Sequence, residues 1–124
     1  QFGLEVNAAG DVNGDGYGDV LVGEPYRDND IYIDSGAVYL YLGNQFSLSN
    51  VPAWSYTGYR GGDHLGITAS GAGDLNGDGC DDIAIGAPGY DAGGMLDTGR
   101  AFVFYGCQTL TARTLNTDPD WEYS

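Results

Sequence analysis

The sequence predicts an all-β chain built from two four-stranded antiparallel sheets. Three observations carry that expectation. Gly numbers 22 and Tyr 10 among 124 residues, and no extended run of helix formers occurs. Short apolar stretches are bounded by Asp on one side and by Gly and Pro on the other, as strands are. One pattern is written twice at a constant offset, the signature of a repeated structural unit.

The repeat is clearest in DVNGDGYGD, Asp11 to Asp19, which returns as DLNGDGCDD, Asp74 to Asp82, 63 positions on. The same offset sets Gly3 on Gly66, VLVGEP (Val20 to Pro25) on IAIGAP (Ile83 to Pro88), and GAVYLYLG (Gly36 to Gly43) on GRAFVFYG (Gly99 to Gly106). The register then slips: WSYT, Trp54 to Thr57, matches WEYS, Trp121 to Ser124, at an offset of 67. The second linker, Cys107 to Asp120, is therefore four residues longer than its counterpart. These matches divide the chain into units 1–57 and 58–124. The joining segment Gly58 to Asp63 has no counterpart, and the pattern starts in mid-register, so the chain reads as two repeats cut from, or assembling into, something longer.

Within a unit the first strand is expected before the loop, over Gly3 to Ala9 and Gly66 to Gly71. The second covers the apolar runs Val20 to Val22 and Ile83 to Ile85. The third, Ala37 to Leu42 or Ala101 to Tyr105, is apolar on both faces, with Tyr39 and Tyr41 opposite Val38, Leu40 and Leu42. A strand of that kind is expected to be covered on both sides. A fourth strand falls around Trp54 or Trp121. Four-stranded sheets stacked face to face make a propeller, so each unit is expected to be a propeller blade, part of a larger or intermolecular propeller-like assembly.

The nine-residue loop places oxygen-bearing side chains at positions 1, 3, 5 and 9 and a backbone carbonyl at position 7. Alternate residues in that spacing converge on one hard cation, and Gly at position 6 permits the sharp turn. The expected ligands are Asp11, Asn13, Asp15, Asp19 and the carbonyl of Tyr17 in the first loop. In the second they are Asp74, Asn76, Asp78, Asp82 and the carbonyl of Cys80. Oxygen-only ligation with three carboxylates favours Ca2+ over zinc or copper, giving two calcium sites per chain. A single Asn-Gly-Asp-Gly could be a mere hairpin turn; two full matches in fixed register favour the metal. An EF-hand or dockerin loop needs an acidic residue at position 12 and a following helix, whereas position 12 here is Val22 or Ile85 inside a strand.

Eighteen acidic residues against four basic ones give a net charge of −14. That balance argues against nucleic acid or an anionic membrane surface as partner and makes cations the natural counter-species. No apolar run reaches the roughly 20 residues of a membrane span, so no membrane insertion is expected. The chain does not begin with Met, which reads as processing or excerption.

Both cysteines lie in the second unit. Pairing Ile83 with Phe104 and Ile85 with Phe102 sets Cys80 opposite Cys107, which predicts a Cys80–Cys107 disulfide; the alternative is two unpaired, half-buried thiols. A disulfide fits an oxidising, extracellular compartment, secreted or cell-surface, where millimolar calcium makes weak sites useful.

Together these residues resemble the FG-GAP repeat family, the blade of the integrin alpha-subunit propeller and of many bacterial secreted and surface proteins. FG stands at Phe2-Gly3, the calcium motif at Asp11 to Asp19 and Asp74 to Asp82, and GAP at Gly86-Ala87-Pro88. Leu65-Gly66 departs from FG, and Gly23-Glu24-Pro25 departs from GAP. The resemblance implies calcium loops on one face, between the first two strands of a blade, and ligand recognition by loops of the opposite face. It also implies closed propellers of about seven blades, against which two blades leave sheet faces bare. Two-blade copies would close a ring of even blade number or, without closure, form a filament.

The function expected is a calcium-binding extracellular structural or adhesive module that assembles through stacked blades, with other copies of itself or further blades of the same propeller as partners, and extracellular protein or glycan beyond them. The alternative is a carbohydrate- or protein-binding propeller segment of a larger secreted enzyme or receptor. No catalytic residues are expected in the chain itself: His64, the one histidine, has no orienting constellation, and the two loops already use six aspartates. Trp54, Tyr56, Trp121 and Tyr123 recur at matching positions and are expected to pack between blades. The segments that differ between copies, Tyr26 to Asp34 and Tyr90 to Asp97, are the candidates for specific recognition.

Overall fold

The computed structural model of the chain describes residues 3, 5–28, 33–58, 62, 64–75, 77–87, 100–107 and, for their backbone, 121–123. The eight strands are β1 (Glu5–Gly10), β2 (Asp19–Glu24), β3 (Ala37–Tyr41), β4 (Trp54–Thr57), β5 (Thr68–Gly73), β6 (Asp82–Ala87), β7 (Arg100–Phe104) and β8 (Trp121–Tyr123). They form two four-stranded antiparallel meanders in the order β1-β2-β3-β4 and β5-β6-β7-β8. No helix occurs among the described residues, so none there is long and apolar enough to cross a membrane.

The ladders follow the sequence pattern closely. Leu21 pairs with Leu40 and Val22 with Tyr39, while Ile83 pairs with Phe104 and Ile85 with Phe102. The first strand of each unit runs further than expected, to Gly10 and Gly73. In both sheets a bulge between Ala8 and Gly10, or Gly71 and Gly73, adds an unpaired residue and lets pairing reach the edge of the loop. The third strand ends at Tyr41 and Phe104, one residue short of expectation in each copy.

The core lies between the two sheets. Sheet one contributes Leu21, Val38, Leu40, Trp54 and Tyr56; sheet two contributes Ala69, Ile83, Ile85, Phe102 and Phe104, all buried. Trp54 sets its ring edge-on to Phe104 at 4.8 Å, and Tyr56 meets Phe102 and Phe104 at 5.7 and 4.9 Å. Tilted and edge-on ring pairs of this kind contribute about 0.5–1.5 kcal/mol each beyond their buried area. Trp54 and Tyr56 therefore do pack between blades; the side chains of Trp121 and Tyr123 lie outside the description.

One expectation is met on a single side. Val38 and Leu40 are fully buried, but Tyr39 and Tyr41 on the opposite face of β3 are only half-buried. Sheet two touches just one face of sheet one, and no third sheet covers the other among the described residues. Near the inner edge β1 runs beside β5, where the amide of Asn7 donates to the Ala69 carbonyl at 2.9 Å.

Candidate metal loops

Each loop joins the first two strands of its sheet, and its fold is set by its first and last aspartates. Asp74 Oδ1 accepts from the N–H groups of Gly77 and Asp78 at 2.9 and 3.1 Å, and its Oδ2 from Gly79 at 2.9 Å. Asp11 does the same in the first loop, accepting from Asp15 at 3.0 Å and Gly16 at 2.8 Å. Gly16 and Gly79, at φ 89 and 91, hold the left-handed backbone that brings those N–H groups round. At the far end Asp19 accepts from Val12 and Gly43 at 2.7 and 3.0 Å, and Asp82 from Leu75 and Gly106 at 2.6 and 2.8 Å. These closing aspartates are buried, so both of their oxygens are held by backbone N–H groups in place of water.

The result is a carboxylate trio. In the second loop, ligand oxygens of Asp74, Asp78 and Asp82 all lie within 4.8 Å of one another, the one such group among the described residues. Ionised carboxylates only accept, so a trio this close suits a hard divalent cation. Asn76 lies outside the described residues. In the first loop Asp11, Asp15 and Asp19 are less tightly gathered, and the amide of Asn13 donates to Asp15 Oδ2 at 3.2 Å. The position-7 residues are placed alike: Tyr17 N–H donates to Asp15 and Cys80 N–H to Asp78, each at 3.0 Å.

The electrostatics of the loops differ. Burial raises the Asp19 carboxyl above its ordinary range, against the opposing effect of its bonds from Gly43 and Val12, and the nearby charges of Asp15 and Asp11 push it the same way. Asp74 is lowered, chiefly by the Gly79 N–H and then by those of Asp78 and Gly77.

Cys80 and Cys107 are joined in a disulfide with Cα atoms 5.8 Å apart, as the strand register requires. His64 stands edge-on to Tyr26 at 5.1 Å. Of the two variable segments, 29–32 and all of Tyr90 to Asp97 lie outside the described residues, as do Phe2, Pro88 and most of the Cys107 to Asp120 linker.

Two residues beside the expected ligands link one loop to the other. Asp81, at position 8, accepts from the N–H of Asp11 in the other loop at 2.8 Å, and its own N–H donates to the Asp11 carbonyl at 2.9 Å. Val12, at position 2, is buried against the second sheet, and its carbonyl accepts from Cys107 N–H at 2.8 Å. The available signal for Asp81 was its departure from the repeat, since the first copy has Gly18 there.

Residues 3–41 and 66–104 each match the FG-GAP repeat. The chain is 39% identical over 119 residues to integrin alpha-6 of Homo sapiens, covering 95% of this chain and 9% of that protein. Integrin alpha-PS5 of Drosophila melanogaster is 36% identical over 98 residues, 74% of this chain and 9% of that protein. Phosphatidylinositol-glycan-specific phospholipase D of Rattus norvegicus is 32% identical over 110 residues, 83% of this chain and 13% of that protein. The chain thus spans about a tenth of the length of the relatives it matches. With two repeat matches set on two four-stranded sheets, the chain belongs to the FG-GAP repeat family.

Proposed function

We propose that the chain is a calcium-stabilised pair of propeller blades, one in 1–57 and one in 58–124, acting outside the cell as a structural or adhesive module. The observation that carries the calcium reading is the Asp74, Asp78 and Asp82 trio, three acceptor-only groups gathered within 4.8 Å on a loop whose backbone is already bent around them. Calcium would be held by Asp74, Asn76, Asp78, Asp82 and the Cys80 carbonyl, and by Asp11, Asn13, Asp15, Asp19 and the Tyr17 carbonyl. Bound there, the ion supplies the positive charge that turns carboxylate repulsion into a cross-link between the first two strands of a blade.

Assembly follows from the half-used faces. Sheet one buries its Val38 and Leu40 face, and sheet two buries the face of Phe102 and Phe104, which correspond by offset to Tyr39 and Tyr41. The contact is head-to-tail, so the remaining faces match those already joined, and a further blade or another copy of the chain fits either end. The disulfide supports an oxidising, extracellular setting.

A second reading, a ligand-binding propeller segment of a larger secreted enzyme or receptor, draws on the likeness to a phospholipase D. In that case the chemistry lies outside these two blades. Native mass spectrometry of the chain with calcium and after chelation tests the main proposal. Two calcium ions per chain are expected, in a complex that loses copies on chelation; a metal-free chain of unchanged mass in both conditions would sink it.

A further inference from the structure

We propose that the Cys80–Cys107 disulfide is a redox-sensitive clasp that couples the two calcium loops, so that reducing it weakens calcium binding at both. The inference rests on the calcium reading above.

The disulfide sits where the loops meet. Cys80 occupies position 7 of the second loop, between Asp78 and Asp82, and the bridge ties it to Cys107, 27 residues on and just past β7. Its sulfurs also lie on the first loop: a Cβ at Gly14 would stand 3.0 Å from Cys80 Sγ and 3.7 Å from Cys107 Sγ. Only glycine, at φ +75, lets the two loops come this close.

Hydrogen bonds continue from both ends of the bridge into the first loop. Cys107 N–H donates to the Val12 carbonyl at 2.8 Å, and Val12 N–H donates to Asp19 Oδ2 at 2.7 Å. Beside Cys80, Asp81 exchanges two bonds with the backbone of Asp11. The first and last expected ligands of loop one are thus each held, within one or two bonds, by residues at the disulfide. The first sheet has no such bridge, since Tyr17 and Asn44 stand at the matching positions.

Cys107 is only half-buried, which leaves an approach for a reductant. A small dithiol attacks one sulfur as thiolate, the S–S bond breaks to a mixed disulfide, and the second thiol of the reductant displaces the chain. Two electrons and two protons pass to the protein, Cys80 and Cys107 end as thiols, and the reductant leaves as a cyclic disulfide. The enclosed segment then regains chain entropy, and position 7 is no longer anchored to β7. By reciprocity, whatever factor the disulfide contributes to calcium affinity, calcium contributes to disulfide stability.

The test is calorimetric titration of the full chain with calcium, oxidised and after dithiothreitol, alongside Asp78→Asn, which leaves loop one alone. Reduction should weaken binding about fivefold or more, in Asp78→Asn as well as in the parent. Asp81→Ala, which keeps the disulfide and every expected ligand, should weaken loop one while the chain stays oxidised. In a dithiothreitol redox buffer read by mass, calcium should shift the chain toward the disulfide. Equal affinity in oxidised and reduced chains, or loss confined to loop two with Asp81→Ala unchanged, would overturn the coupling. Absence of calcium heat in both redox forms would instead remove the calcium reading, and this inference with it.

Discussion

The two blades carry matching residues yet bury opposite faces. Val12 is 1% exposed while its counterpart Leu75 is 58% exposed; conversely Val6 is 58% exposed and its counterpart Ala69 4%. Nothing in residue type distinguishes these pairs, since all four are aliphatic side chains in strands or at loop edges. What differs is the neighbour. Blade one has blade two on one side, and blade two has blade one on the other, so each blade is half satisfied. The difference teaches that an FG-GAP blade is a two-faced unit whose burial is assigned by position in the stack.

The comparison breaks most easily at the shared interface. Trp54→Ala removes the ring that packs on Phe104 and should cost about 3–5 kcal/mol, measured by chemical unfolding. A loss below about 1 kcal/mol would mean that the two sheets do not depend on each other. Opening the disulfide in Cys80→Ser with Cys107→Ser should cost roughly 2–4 kcal/mol in the same assay.

The loops provide a sharper contrast through pH. Asp19 has a raised carboxyl, so in the metal-free chain the folded state holds its proton more tightly than the unfolded; that stabilisation is present in acid and lost as pH rises through the folded value. Asp74 is lowered, so its contribution is present above the ordinary aspartate range and lost as pH falls through its folded value. Proton and cation compete for the same oxygens. With calcium held in both loops as proposed, acidification from neutral pH should empty loop one before loop two, read from calcium release by Asp78→Asn and Asp15→Asn chains respectively. Coincident midpoints would remove the electrostatic distinction between the loops.

The smallest effect belongs to the free end. Leu75→Ala should change the stability of the isolated chain by no more than about 0.5 kcal/mol, because its side chain faces solvent. If Leu75 occupies the place in a further blade contact that Val12 occupies here, the same variant should weaken association measured by sedimentation. Unchanged association would separate Leu75 from that contact.

Much of this is legible in the sequence itself. The constant offset between Asp11 and Asp74 determined two like units, the alternation of apolar residues determined strand identity, and pairing Ile83 with Phe104 placed Cys107 opposite Cys80. These are local properties: period-two patterns, turn glycines and ladder register depend on residues near one another in sequence or across one hairpin. The same alternation could not assign a buried side, because β3 is apolar on both. That choice needs the neighbouring sheet, which puts Val38 and Leu40 inside and leaves Tyr39 and Tyr41 half open. The role of Asp81 was hidden for the same reason, since its partner, the backbone of Asp11, lies 70 residues away and meets it only when the two loops are stacked. Local pattern determined the blades and their loops by itself; only the tertiary structure decided which face each blade buries and that the loops touch, because those contacts join residues that share no strand and no turn.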